Sequence, residues 1–89
     1  MLNSEVKQMS RKEKFDAVLK KHGYRSLNNF CIENKLIQTN VNRRVKHEDI
    51  QVELPILFSW ANILHEPIDT LIEIFYPEEY KVNKSLIEK

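Results

Sequence analysis

Eighty-nine residues, 42% hydrophobic and 30% charged, describe one ordinary globular domain with a modest core and little room for an enzyme cleft. One glycine and three prolines favour helices joined by short links, and a single cysteine excludes an internal disulfide or a cysteine-based zinc cluster. The net charge is only +1, but it is divided: residues 1–47 carry eleven cations against four carboxylates (+7), and residues 48–89 three against nine (−6). Attraction to phosphate is local, decaying over roughly 10 Å in salt, so the first half is a candidate for an anionic partner. No apolar run reaches the length of a membrane span, and the polar start MLNSEVKQMS does not resemble a signal peptide. The expected location is the cytoplasm.

Residues 1–9 read as a flexible arm with Lys7 as its only cation. Ser10 followed by Glu13 has capping-box spacing and starts the first helix. Phe15, Val18 and Leu19 form its inward face, Arg11, Lys12, Lys14, Lys20 and Lys21 its solvated one, and Gly23 ends it. His22 falls in the last turn, where the helix dipole favours positive charge, and is read as structural rather than as a ligand.

Ser26 to His47, SLNNFCIENKLIQTNVNRRVKH, parses as two short helices with a turn between them. Ser26 and Thr39 are the expected N-caps. Phe30 and Cys31 share one side of the first helix, and Leu36 and Ile37 fill the turn. Ile37, Val41 and Val45 recur at a helical interval as one narrow apolar stripe. With that stripe inward, about 100° per residue places Thr39, Arg43 and Lys46 on the far side, with Asn40 and Asn42 beside them. Arg and Asn make paired hydrogen bonds to guanine and adenine edges in the major groove, which makes this a candidate recognition helix.

Glu48–Glu53 is expected to be an extended link with Ile50 and Val52 tucked beneath the fold. Pro55 suits the first turn of the next helix, Leu54–Leu64, whose stripe is Leu57, Trp60, Ala61 and Leu64, widened by Ile56 and Ile63. At this spacing Trp60 is core rather than a stacking platform for a base. Pro67 opens a fifth helix with Ile68, Leu71, Ile72 and Phe75 inward, ended by Tyr76-Pro77. In the tail, residues 77–89, Val82, Leu86 and Ile87 fit a partial helix; a disordered end, a dimer contact and a linker are the alternatives. His22, His47 and His65 share no ligand spacing, one glycine cannot build a phosphate loop, and Cys31 sits at a core position. No catalytic residue, metal site or cofactor is expected.

The helix pair resembles the helix-turn-helix of the lambda-repressor-like family, the phage Cro/CI-type regulators. Cys31 stands at that family's small buried position, Leu36 at the apolar residue after the turn, and Val41 inside the second helix. Lys35 replaces the usual turn glycine, and Val45 is the apolar residue nearest the last buried position, which falls near Arg44. Leu57 to Phe75 is similar to the family's last two helices, matching at Leu57, Phe58, Ala61, Leu64, Ile68, Leu71 and Ile72, with His65 where glycine is common. The resemblance covers Phe15 to Phe75. It implies a compact all-α, five-helix DNA-binding domain over residues 10–76, its helix-turn-helix formed by helices 2 and 3.

By that resemblance the chain is a sequence-specific, repressor-like regulator of phage or bacterial mobile-element type that binds double-stranded DNA. Thr39, Asn40, Asn42 and Arg43 are expected to meet base edges, joined by Gln38 if the register slides. Ser26, Asn28, Lys35, Arg44 and Lys46 are expected to hold phosphates. A homodimer on a palindromic operator follows, through the last helix or the tail. The alternative is a helical protein-binding module, such as an antitoxin, antirepressor or inhibitor, which the low total charge and acidic second half favour. A domain whose DNA-reading ability has decayed is a third.

Overall fold

The computed structural model describes the backbone of residues 9–87 and the side chains of residues 9–82. The expected arm with Lys7 lies outside the described residues apart from Met9. Six helices follow in order: α1 (Arg11–Lys21), α2 (Leu27–Glu33), α3 (Gln38–Lys46), α4 (Leu54–Leu64), α5 (Ile68–Phe75) and α6 (Pro77–Ile87). The all-α expectation holds, and there is no strand among the described residues. No helix there is long and apolar enough to cross a membrane.

The sixth helix corrects the expected count of five. Pro77 begins α6 rather than stopping the chain, because a proline in the first turn gives up an amide that has no helical partner. Glu78 and Glu79 in the same turn complement the helix dipole. Val82 is exposed on it, and the side chains of Leu86 and Ile87 lie outside the described residues.

α1 packs against α2, α3 and α5, while α4 packs on α5, which also carries α6. Phe15 is the hub of the core. Its ring lies 5.9 Å from Phe30 of α2, 5.5 Å from Trp60 of α4 and 5.4 Å from Phe75 of α5, centroid to centroid. Leu19, Cys31, Val45, Val52, Leu57, Leu64 and Leu71 complete the fully buried set. Trp60 is core, and of the two apolar residues expected beneath the link after α3, Val52 is fully buried in the core while Ile50 is only half-buried. The hydroxyl of Tyr76 donates to the carbonyl of Val52, fastening that link to the end of α5.

Three helices end in the same way. After α1, α2 and α4 the chain turns through a residue with positive φ: Gly23 at 88°, Lys35 at 58° and His65 at 58°. Each time the next amide reaches back to a carbonyl in the last turn: Tyr24 to Leu19 (3.0 Å), Leu36 to Cys31 (2.8 Å) and Glu66 to Ala61 (3.0 Å). These are Schellman caps, and only the first has the glycine that suits the geometry. At the other end of α1, Ser10 and Glu13 make the full reciprocal capping box.

Candidate nucleic-acid interface

α3 begins two residues earlier than Thr39 as N-cap would require. Ile37, in extended backbone, occupies the N-cap position, and no side chain caps the helix there. Thr39 is therefore inside the first turn and exposed. This also corrects the stripe: Val41 and Val45 are buried, but Ile37 precedes the helix and stands 66% exposed. Two valines, not three apolar residues, hold α3 down.

The rest of the helix surface is polar. Gln38, Thr39, Asn40, Arg43 and Lys46 are exposed, and α3 contains no carboxylate. Among the described residues no hydrogen bond or ion pair engages the guanidinium of Arg43. Asn42 is half-buried, and its side-chain amide donates to Oδ1 of Asn28 on α2 at 3.3 Å. Two residues expected to meet different parts of a ligand thus meet each other, linking the helices of the pair at their surface.

The phosphate candidates divide similarly. Ser26 caps α2, its hydroxyl accepting from the amide of Asn29 at 3.0 Å, which leaves its own proton free to donate. Lys35 and Lys46 are exposed. Arg44 is more committed: Nη1 donates to the carbonyl of Asn40 at 3.3 Å, and Nε lies 3.6 Å from a carboxylate oxygen of Glu53. Its side chain is only 20% exposed, so it offers less to a partner than Arg43 does.

Arg11 was expected to be solvated and is instead 8% exposed. Its Nη1 donates to the carbonyls of Arg44 (2.8 Å), His47 (3.2 Å) and Ile50 (2.8 Å), and Nη2 to that of Glu48 (3.3 Å). The guanidinium also lies 5.1 Å above the centre of the Phe75 ring. Burial pushes its pKa below the ordinary arginine value, opposed by the charges of Glu48 and Asp49. α3 has no glycine cap after it, and the buried arginine supplies donors to one carbonyl of its last turn, that of Arg44, to that of its C-cap, His47, and to two in the link that follows. Arg11 lies one and two turns before Phe15 and Leu19 on the same face of α1. That continuation of the stripe was the available signal, masked because arginine is usually solvated.

Cys31 is fully buried, and burial pushes its thiol pKa up, keeping it a neutral core group. A cleft of about 720 Å³ lies away from α3, between the start of α1, residues 48–51 and the α5–α6 junction. Its arginine is Arg11, already occupied with carbonyls. No group of three or more His, Cys, Asp or Glu among the described residues is placed to hold a metal ion.

Compared with protein-family models, curated proteins and solved structures, the chain gives no match.

Proposed function

We propose that this chain is a sequence-specific double-stranded DNA-binding regulator that places α3 in the major groove. The observation that supports this best is the carboxylate-free, exposed face of Gln38, Thr39, Asn40, Arg43 and Lys46, on a helix held down by two valines and clamped at its end by Arg11. Amides and a guanidinium suit purine edges, and Arg43, unpaired among the described residues, is the strongest candidate for guanine. Lys35, Lys46, Ser26 and Asn28 flank the face as phosphate contacts, with Arg44 in a lesser role. A domain of this size gains affinity by binding as a homodimer to an inverted repeat.

The test is selection of bound sequences from a random duplex pool at low and near-physiological salt. An enriched inverted repeat is the expected result; recovery of random DNA at low salt alone would reduce the basic face to a nonspecific one. On the selected site, Arg43→Ala should lose about 1–3 kcal/mol and relax one position, with little effect on random DNA.

The second reading is a helical protein-binding module. It is favoured by Leu54 and Phe58, a helical turn apart and 44% and 55% exposed on α4, which has no charged residue. Under that reading, mutation of Phe58 would abolish partner binding while salt and Arg43 would matter little.

A further inference from the structure

The N-cap of α3 is occupied by the wrong kind of residue for a cap and the wrong exposure for a core. Ser, Thr, Asn and Asp are favoured there because a side-chain oxygen can accept from the first free amides. Ile37 makes no such bond; its carbonyl alone accepts, from Val41 at 3.1 Å. Nor is it packed inside, since its side chain is 66% exposed while Val41, one turn later, is 5% exposed. Neither capping nor burial accounts for an isoleucine here. Its neighbours in sequence, Gln38 and Thr39, are exposed polar residues at the N-terminal end of α3, the end that approaches base edges when such a helix enters the groove.

Only one of the four DNA bases offers an aliphatic group on the major-groove edge, and that is the 5-methyl of thymine. Cytosine presents an amine there, which an isoleucine would strip of water without replacing the hydrogen bond. The adjacent Gln38 has the paired donor and acceptor that fit N6 and N7 of adenine. We propose that Ile37 is a specificity-determining residue that packs on a thymine methyl, so that the start of α3 selects an A·T pair in each half-site. This rests on the DNA-reading function proposed above and states which bases that site takes.

The experiment uses the full chain and the sequence it selects from the random pool. Each thymine is replaced singly by deoxyuridine, which lacks only the methyl, and affinities are measured for the wild type, Ile37→Ser and Phe58→Ser. Serine is a preferred N-cap, so the first variant keeps the helix start, while the second removes an exposed apolar group from α4 as a control. At one thymine per half-site, loss of the methyl should weaken the wild type and Phe58→Ser about three- to fivefold, the scale of one buried methyl group. The same replacement should leave Ile37→Ser unchanged. The inference is overturned if Ile37→Ser shows the wild-type penalty at every thymine, if no thymine methyl matters, or if the selected site fixes no A·T pair. Failure to select any sequence would overturn the DNA-reading function itself, and this inference with it.

Discussion

At the scale of single residues, Arg11 shows how one buried charge organises its surroundings. A guanidinium out of water is costly unless its donors are used, and here they reach four carbonyls between Arg44 and Ile50. The backbone amide of Arg11 in turn donates to the carboxylate of Glu48 at 2.9 Å, so the contact is held from both sides. Arg11→Met keeps the apolar stem but takes the donors away. It should cost roughly 3 kcal/mol in urea unfolding, because several partly buried acceptors lose this donor together. Arg11→Lys should recover only part of that, since a compact ammonium cannot fork across the same carbonyls. Equal stability of the Met variant and the wild type would show that water satisfies those carbonyls instead.

At the scale of elements, the three Schellman caps place the same backbone demand on glycine, lysine and histidine. A side chain at positive φ crowds its own carbonyl, a strain of roughly 1–2 kcal/mol for residues other than glycine. Lys35→Gly and His65→Gly should therefore each stabilise the fold by about 1 kcal/mol, less a fraction for the freer unfolded chain. In a domain of this size that raises the melting temperature by roughly 4–8 °C. Gly23→Ala should move it the other way. A Cβ at Gly23 meets nothing within 4 Å, so that loss reports backbone strain and no clash. The Lys35 variant carries a second readout: if Lys35 holds a phosphate, its removal lowers affinity for specific and random DNA alike and flattens the salt dependence.

At the scale of the whole molecule, a carboxylate ties the first helix to the turn between the fourth and fifth. The side chain of Glu66 is 5% exposed and accepts from His22 Nε2 (2.6 Å), Lys21 Nζ (2.9 Å) and Thr70 Oγ1 (3.1 Å). An ionised carboxylate only accepts, so the Nε2 of His22 carries the proton. The hydrogen bond from His22, then that from Lys21, lowers the pKa of Glu66 from 4.5 to about 2, with burial opposing. A carboxylate whose pKa is depressed in the folded state contributes stability that is complete above its unfolded value. That contribution is lost as pH falls from about 4.5 toward 2. Acid unfolding of the wild type should steepen in that window, and Glu66→Gln should be less stable at neutral pH but flatter below it. An unchanged acid limb in the variant would assign the loss to other carboxylates. The charge division also changes meaning in three dimensions. Arg11 is internal, and Lys12 and Lys21 are paired with Asp16 and Glu66, so the open cations beside α3 are fewer than the chain total for residues 1–47 implies.

Much of this architecture follows from local chemistry and was legible in the chain. The capping box at Ser10, the single glycine after α1, and the periodic stripes of Phe15–Leu19 and Leu57–Leu64 specify helices by patterns a few residues long. The burial of Val41 and Val45, and hence the outward polar face of α3, follows from the same periodicity. The extra helix after Pro77 was half legible, since proline both ends and begins helices and the residue alone does not say which. What only the tertiary structure decided is where distant groups meet. Asn42 finds Asn28, Glu66 finds His22, and Arg11 finds the carbonyls following α3, at separations in sequence that no periodicity reports. Ile37 turns outward because the helix starts just after it, a shift of two residues from a start at Thr39 that changes which side chains are open to a partner. Periodicity selects the face of a helix; packing against the rest of the chain sets where that helix begins and which of its polar groups are already taken.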